Sequence, residues 1–244
     1  MKAMIFAAGM GTRLKPLTDN MPKALVPVGG KPMLEHIILK LKNSGFDQII
    51  INIHHFGEQI IDFLNANNNF GIHIEIADER DYLLDTGGGI KKTDHFFQGK
   101  EPFLVHNVDI FSNVNLKALY KAHSVSDTLA TLLVSKRNTA RYLLFNKENK
   151  LCGWRNHETG EVKSYYPDFD PTQYNEYAFG GIHVISPEIF KWMDEWTGKF
   201  PIINFYLSIC AKANIQAYPA ENLKLIDIGK PENLIKAEEF LREL

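Results

Sequence analysis

The sequence predicts an α/β fold, a three-layer α/β/α sandwich with a mixed, mostly parallel central sheet. Two observations carry this prediction. Short, unbroken apolar runs typical of buried strands recur along the 244 residues, and segments with helical apolar spacing separate the first of them. Strands that alternate with helices form a sheet covered on both faces. Ligands of such sheets bind beyond the carboxyl ends of the strands, so residues that follow each apolar run are candidate site residues.

The first apolar run, residues 3–8, ends in a glycine-rich turn that cations follow. Gly9 and Gly11 can both adopt a positive φ and leave backbone N–H groups open to a ligand. Arg13 and Lys23 come shortly after them. A buried strand, a glycine turn and fixed cations together predict a phosphate-binding site. The alternative is a tight turn with solvated basic side chains.

The rest of the chain continues the alternation of elements. Apolar spacing and turn residues predict helices at 32–44, 58–64, 116–123, 187–196, 204–212 and from 231 onward. Buried or alternating runs predict strands at 48–53, 72–76, 103–105, 128–134, 178–184, 215–218 and 224–228. His54 and His55 follow the strand at 48–53, where a polar contact at the strand end or a packing role is favoured over metal binding.

A run of three glycines occupies residues 87–89. Asp85, Thr86 and the glycines at 87–89 predict a loop that leads into a helix at 90–92. Such a loop lets a flat group lie against the backbone. A loop with a purely structural role is the alternative.

Two aspartates stand at predicted strand ends. Asp109 follows the strand at 103–105, and Asp227 lies at the end of the strand at 224–228, beside Gly229. Carboxylates at these positions can hold Mg²⁺ near bound phosphates. Asp109 could equally cap the turn that follows it.

The pattern changes from residue 141 onward. Short antiparallel strands are predicted at 142–145, 151–154 and 162–165, and they form a β-rich insertion that could wall a substrate pocket. Trp154, Tyr165 and Tyr166 are candidates for stacking on a sugar ring or for core packing. Gly181 follows another glycine inside the strand at 178–184, which indicates close approach of a ligand or of another backbone.

Composition limits the functional class. A net charge of −2 does not favour nucleic-acid binding. Cys152 and Cys210 match no metal-binding spacing and are expected to be buried free thiols. No apolar run is long enough to span a membrane, and the opening strand is not a secretory signal, so a cytoplasmic protein is expected. Residues 1–244 are expected to form one domain.

Residues 7–18 and 22–28 resemble the signature of the sugar-1-phosphate nucleotidyltransferases. They read AAGMGTRLKPLT and PKALVPV. The resemblance covers essentially the whole chain and implies a Rossmann-like fold. The implied reaction joins an NTP to a sugar-1-phosphate and gives an NDP-sugar and pyrophosphate. A dinucleotide-dependent dehydrogenase is excluded, because Leu14 stands where its third glycine would be.

The resemblance also implies the roles of individual residues. Arg13, Lys23 and Asp109 are the catalytic residues, and Asp109 and Asp227 hold Mg²⁺. Residues expected to contact the nucleotide are Ala8, Gly9, Gly11, Thr12, Arg13, Asp85, Gly87 and Gly88, and those expected to contact the sugar are Asn107, Asn156 and Gly181. The chain departs from the family pattern at Val108, where glycine is usual, and it lacks the Glu-Lys-Pro motif that many relatives use for the sugar. Residues 150–166 offer Trp154, Arg155, Asn156 and Glu161 instead. The resemblance further implies a nucleotide-binding half at 1–135 and a sugar-binding half at 136–244 that carries the C-terminal metal aspartate.

The partners implied are therefore an NTP and a sugar-1-phosphate. No nucleic acid or membrane is expected, and the protein is expected to be a monomer or a small homo-oligomer. Uridylyl transfer to N-acetylmuramate-1-phosphate is the favoured reaction. Guanylyl transfer to mannose-1-phosphate, and uridylyl or thymidylyl transfer to glucose-1-phosphate, are alternatives. A nucleotide-sugar-binding regulatory module without turnover is the alternative from another class.

Overall fold

The computed structural model describes residues 1–243. The strands in chain order are β1 (Lys2–Phe6), β2 (Pro27–Val28), β3 (Lys31–Pro32), β4 (Gln48–Ile53), β5 (His73–Asp78), β6 (Phe103–Asn107), β7 (Ile110–Ser112), β8 (Ala130–Ser135), β9 (Arg141–Phe145), β10 (Leu151–Asn156), β11 (Val162–Lys163), β12 (Asn175–Ile185), β13 (Ile215–Pro219) and β14 (Leu225–Asp227). The helices are α1 (Met33–Asn43), α2 (Gly57–Ala66), α3 (Asp85–Lys92), α4 (Leu116–Ser124), α5 (Ile189–Trp192), α6 (Ile202–Ile209) and α7 (Glu232–Arg242).

The chain divides into two compact units. The first contains residues 1–83, 104–117 and 224 onward, and the second contains residues 84–103 and 118–223. Neither unit is one continuous half of the chain. The expected division of functions at residue 135 therefore does not follow the compact units, and it stays a prediction.

The first unit is built on a sheet in the order β6-β1-β4-β5. Strands β1, β4 and β5 are parallel, with Ala3 opposite Ile49 and Ile51 opposite Ile76. Five of the six residues of β4 are buried, as an apolar run in a covered parallel sheet requires. Helix α1 buries one apolar face that includes Leu34 and Ile38. Strand β7 pairs with β14 in a separate two-stranded ribbon.

The second unit contains mostly antiparallel strands in the order β11-β10-β9-β12-β8, and β13 adds to β8 in parallel. The three strands predicted after residue 141 are present as β9, β10 and β11. The register of β12 shifts between Phe179 and His183, and Gly181 lies in this bulge with a φ of 68°. The bulge is thus sufficient to explain the pair of glycines, without a ligand nearby.

The α/β fold is confirmed, and three local predictions need correction. The glycines at 87–89 lie inside α3 and not in a loop before a helix. The predicted helix at 187–196 shortens to the four residues of α5. Strand β7 was not predicted, because its three residues directly follow a strand and an aspartate and give too short a pattern. No helix within residues 1–243 is long and apolar enough to cross a bilayer.

Candidate active site

The glycine turn follows β1 as the sequence predicts, but its two glycines serve different purposes. Gly11 has a φ of 64°, and a Cβ there would lie 2.9 Å from Thr18 Cγ2 and 3.1 Å from Lys23 Cβ. Position 11 therefore requires glycine for two reasons: its φ is positive, and a Cβ would lie too close to neighbouring side chains. Gly9 does not have the positive φ that it was expected to allow, and no atom of the described residues lies within 4 Å of its Cβ position. Gly9 leaves an open, exposed stretch of backbone that a ligand can approach.

A buried side chain holds the start of this turn. The Oδ1 atom of Asn52 accepts the backbone N–H groups of Ala7 and Ala8 at 2.8 and 3.3 Å. Its Nδ2 atom donates to Oε1 of Glu79 at 2.8 Å, and Glu79 is only 1% exposed. The Ala8 N–H thus has a protein partner, and the expected contact between Ala8 and the nucleotide stays a prediction. Neither Asn52 nor Glu79 was predicted, although an asparagine inside the apolar run of β4 was a usable signal.

Lys23 and Asp109 form an ion pair that is mostly shielded from solvent. Lys23 begins a short 3₁₀ turn, and its ammonium donates to Oδ2 of Asp109. The two side chains are 10% and 21% exposed. Asp109 lies in the turn between β6 and β7, at the strand end that the sequence indicated. The fold therefore joins a predicted phosphate ligand to a predicted metal ligand from 86 residues away.

Asp227 lies beside Asp109 because β14 pairs with β7. Asp227 is opposite Ile110 in the antiparallel register, and the Ile228 N–H donates to the Asp109 carbonyl at 2.8 Å. The position of a Cβ on Gly229 lies 2.8 Å from Nη2 of Arg13 and 3.0 Å from Oδ1 of Asp227. The Arg13 guanidinium and the Asp227 carboxylate thus converge over Gly229, and any larger residue there would displace them.

The donor set around Asp109 fits Mg²⁺. Mg²⁺ prefers oxygen ligands and is commonly held by one or two carboxylates together with substrate phosphates. Asp227, at the end of β14, and Asp109, in the turn before β7, offer such carboxylates, and Asp109 already accepts a cation, the Lys23 ammonium. Within residues 1–243 no cluster of three or more His, Cys, Asp or Glu side chains could hold a metal by itself. A metal at this pair would therefore need further oxygen ligands from a substrate.

The glycines of α3 pack against protein. A Cβ on Gly87 would meet the ring of Phe200, and the Gly87 N–H donates to the Phe200 carbonyl at 2.8 Å. A Cβ on Gly88 would meet the Gly198 carbonyl. Asp85, at the start of α3, accepts the Thr86 N–H with Oδ1 at 2.6 Å. Helix packing is thus sufficient to explain both glycines, and base contacts at Asp85, Gly87 and Gly88 stay predictions.

A cavity of about 510 Å³ lies in the second unit. Asn156, a predicted sugar ligand, lines it, whereas Asn107 lies in the first unit at the end of β6. Trp154 also lines the cavity, and alternation along β10 turns Arg155 away, toward Glu176 at 3.5 Å. The lining residues are Arg137, Thr139, Arg141, Tyr142, Leu143, Trp154, Asn156, Glu161, Lys163, Phe179, Pro201, Ile203 and Asn204.

This second-unit cavity is rich in positive charge. Arg137, Arg141 and Lys163 contribute cations, and the one acidic residue of this lining, Glu161, pairs with Lys163 at 3.1 Å. Arg137 Nη2 donates to the Phe179 carbonyl at 3.3 Å, while its buried Nε has no hydrogen-bond partner among the described residues. Buried donors are nearly always paired, so this nitrogen suits an acceptor on a ligand. The sequence suggested a pocket here but not its arginines.

The remaining sequence candidates have structural roles. His54 Nδ1 contacts the Glu79 carbonyl at 2.7 Å, the polar contact at a strand end that was favoured. Cys152 and Cys210 are buried free thiols, and burial raises the pKa of Cys210 to about 11. The Tyr166 hydroxyl donates to the Cys210 carbonyl at 3.0 Å, and Tyr165 is exposed.

Comparison with known proteins defines the class that the fold and the first-unit site support. The chain belongs to the nucleotidyl transferase family, whose pattern matches residues 2–243. It is 30% identical to N-acetylmuramate alpha-1-phosphate uridylyltransferase of Caulobacter vibrioides, over 99% of this chain and 97% of that protein. It is 40% identical to the protein of the same name from Neisseria meningitidis, over 51% of this chain and 53% of that protein. The enzyme class is thus sugar-1-phosphate nucleotidyltransferase.

A solved structure supports the fold assignment. A protein from Bacillus anthracis assigned as a glucose-1-phosphate thymidylyltransferase, in complex with sucrose, aligns with a TM-score of 0.83. The alignment covers 100% of this chain and 96% of that one at 20% sequence identity. At this identity, the similarity concerns the fold.

Proposed function

We propose that the protein transfers a uridylyl group from UTP to N-acetylmuramate-1-phosphate and releases pyrophosphate. The observation that carries this proposal is the similarity to the Caulobacter vibrioides uridylyltransferase along nearly the whole of both chains. Such similarity includes the segment after residue 136, where the sequence analysis expects the sugar to bind. The proposal extends to a cytoplasmic reaction that recycles a cell-wall sugar into nucleotide-linked form.

The charge of the second-unit cavity supports an acidic sugar. N-acetylmuramate carries a carboxylate that glucose and mannose lack. After Glu161 pairs with Lys163, Arg137 and Arg141 remain as cations in the cavity wall. An arginine guanidinium binds a carboxylate through two parallel hydrogen bonds. The aromatic rings of Trp154 and Tyr142 in the same lining offer faces for a sugar ring.

The first-unit site suits the chemistry between the two phosphates. The nucleophile is a phosphate oxygen of the sugar-1-phosphate, whose second pKa is about 6, so no general base is required at neutral pH. The barrier arises from bringing two polyanions together, since two unit charges ~4 Å apart repel by ~4 kcal/mol at an effective dielectric constant near 20. Fixed cations offset this repulsion, and catalysis is mainly positioning and charge stabilisation.

The cations of the first unit divide this work in the proposed mechanism. Backbone N–H groups at Gly9 and Gly11 bind the triphosphate. Arg13 binds the β- and γ-phosphates and stabilises the departing pyrophosphate. Lys23 lies between the α-phosphate and the incoming sugar phosphate and offsets their repulsion. Asp109 and Asp227 would hold Mg²⁺, which would supply Lewis-acid neutralisation of phosphate charge.

The experiment that tests this function is a matrix of substrates. UTP, GTP, dTTP and CTP are each combined with the 1-phosphates of N-acetylmuramate, N-acetylglucosamine, glucose and mannose in the presence of Mg²⁺, and pyrophosphate release is measured. We expect the highest kcat/KM for UTP with N-acetylmuramate-1-phosphate. A higher value for GTP with mannose-1-phosphate, or for glucose-1-phosphate with UTP or dTTP, would replace the proposal with that reaction. No release from any pair would indicate a binding module.

A further inference from the structure

A second cavity, of about 370 Å³, lies in the first unit between residues of α1, β7 and α7. Its walls are partly apolar, with Ile37, Phe111 and Phe240 among the residues that form them. One ammonium group, that of Lys40, lies in the lining, and the described lining residues include no aspartate or glutamate. None of these residues belongs to the phosphate-binding turn or to the carboxylate pair of the candidate active site.

Lys40 is a partly buried cation that lacks an anionic partner among the described residues around it. Its ammonium donates to the carbonyl oxygen of Ser112 and, at 3.1 Å, to the Ser112 hydroxyl. An ammonium has three N–H donors, so one has no partner among residues 1–243. Burial lowers the pKa of Lys40 to about 8, yet the group is still mostly charged at neutral pH. A charge in such surroundings is stabilised by an opposite charge that can enter the cavity.

The same cavity contacts the strand pair that carries both candidate metal ligands. Ser112, which binds Lys40, ends β7 and lies opposite Leu225 of β14. Asp109 directly precedes β7, and Asp227 ends β14. A molecule bound to Lys40 therefore touches the ribbon that positions the carboxylates, although it does not touch the carboxylates themselves.

We propose that this cavity is a regulatory site for a small organic anion, a carboxylate with an apolar body. The carboxylate pairs with the free donor of Lys40, and the apolar body packs against Ile37, Phe111 and Phe240. The proposal does not depend on which base or sugar the enzyme uses, since activity can be measured with whichever substrate pair is turned over.

Octanoate is the binding probe, with octanol and inorganic phosphate as controls. In methyl-resolved NMR of the wild-type protein, we expect octanoate to shift the resonances of Ile37 and Val114, which lines the same cavity. Octanol and phosphate each supply only half of the complementary chemistry, so both should bind at least ~10-fold more weakly, a difference of ~1.4 kcal/mol. Equal binding of either control, shifts confined to other sites, or displacement of octanoate by UTP would overturn the proposal.

A matched pair of variants tests whether the Lys40 ammonium binds the carboxylate of octanoate. Lys40→Met removes the ammonium and keeps an unbranched apolar side chain, whereas Lys42→Met removes an exposed ammonium from the same helix. We expect Lys42→Met to bind octanoate as the wild type does, and Lys40→Met to lose at least ~10-fold in affinity. Octanoate should also change the rate of pyrophosphate release at least ~2-fold in wild type and Lys42→Met but not in Lys40→Met. Binding without this change in rate would overturn the regulatory role.

Discussion

The two units build their candidate sites in different ways. In the first unit, each functional group stands just after or within a short element with a recognisable pattern: the glycine turn after β1, Lys23 in its 3₁₀ turn, and Asp109 and Asp227 at strand ends. In the second unit, the cavity draws its walls from residues scattered between 137 and 204. Trp154, Asn156 and Glu161 in this lining were sugar candidates from the sequence, whereas Arg137 and Arg141 were not. The residues of the candidate phosphate site are therefore recognisable in the local sequence, whereas those of the second-unit cavity mostly are not.

The difference has a physical origin. Phosphates are bound by backbone N–H groups and by fixed charges, and the turns that present these groups need particular residues at particular spacings. A pocket for a sugar depends on shape and on a few side chains that converge from distant strands. The five predictions below test this contrast, beginning with the largest expected effect.

The first prediction concerns the Asp109 carboxylate in the first unit. Asp109→Asn keeps the shape of the side chain but removes the charge that pairs with Lys23. We expect kcat to fall by ~100-fold or more, because loss of one preorganised charge at a reacting centre costs ~3 kcal/mol. Pyrophosphate release in saturating Mg²⁺ measures the effect. Asp62→Asn, at an exposed position of α2, is the control, and near wild-type turnover of Asp109→Asn would sink the metal assignment.

The second prediction concerns the charge of the second-unit cavity. Arg137→Met removes the guanidinium whose Nε has no partner within residues 1–243. We expect kcat/KM for N-acetylmuramate-1-phosphate to fall by ~30-fold, since a charge-assisted hydrogen bond contributes ~2 kcal/mol, while the value for N-acetylglucosamine-1-phosphate stays the same. Lys136→Met, one residue away and exposed, should change neither value. An equal loss for both sugars would remove Arg137 as a determinant of selectivity.

The third prediction separates packing from base contact in α3. Gly87→Ala would place a methyl group against the Phe200 ring, and we expect the free energy of unfolding to decrease by ~2 kcal/mol through overpacking. Urea denaturation measures this change, and KM for the NTP is measured on the same sample. If stability is unchanged and KM rises, Gly87 contacts the nucleotide and its packing role is wrong.

The fourth prediction concerns the buried support of the glycine turn. Asn52→Ala removes the acceptor of the Ala7 and Ala8 N–H groups. We expect KM for the NTP to rise by ~10-fold, because an orphaned buried donor costs at least ~1 kcal/mol and the turn loses its fixed position. Glu79→Gln keeps an oxygen that can accept from Asn52 Nδ2, and it should retain most of the affinity. An unaltered KM in Asn52→Ala would show that the turn holds its position without this contact.

The fifth prediction compares one fully buried histidine in each unit. Burial lowers the pKa of His106 and of His183 to about 3. Because the unfolded state, with a histidine pKa of about 6.5, binds protons more readily, their contribution to stability is complete above pH ~6.5 and is lost as the pH falls toward 3. At pH ~5.5 each histidine should therefore lower the free energy of unfolding by ~1.4 kcal/mol relative to its value at neutral pH.

Two variants test whether these histidines cause the loss of stability at low pH. His106→Gln and His183→Gln should each lose ~1.4 kcal/mol less than the wild type when the pH is lowered from ~7.5 to ~5.5, as measured by urea denaturation. In His183→Gln, the introduced amide can still accept the hydrogen bond of the Tyr206 hydroxyl, which lies 2.7 Å from the native ring nitrogen. If either variant shows the same pH dependence as wild type, that histidine takes up a proton in the folded protein as readily as in the unfolded one.

Local sequence was sufficient to predict the α/β class, the parallel strands β1, β4 and β5, and the glycine turn after β1, whose role in phosphate binding stays a prediction. These follow from local rules, since buried strands need apolar runs and Gly11 needs a positive φ. Only the tertiary structure decided the pairing of Lys23 with Asp109, the convergence of Arg13 and Asp227 over Gly229, and the support of the turn by Asn52 and Glu79.

The dependence on contacts between distant residues also explains the wrong prediction at α3 and the missed strand β7. The glycines of α3 look like a loop in sequence, because glycine disfavours an isolated helix, but close packing against Phe200 outweighs that local preference. Strand β7 exists because β14, more than a hundred residues later, pairs with it. Contacts between residues far apart in the chain leave no periodic pattern in either segment. The sequence therefore determined which groups are available for chemistry, and the fold decided which of them meet.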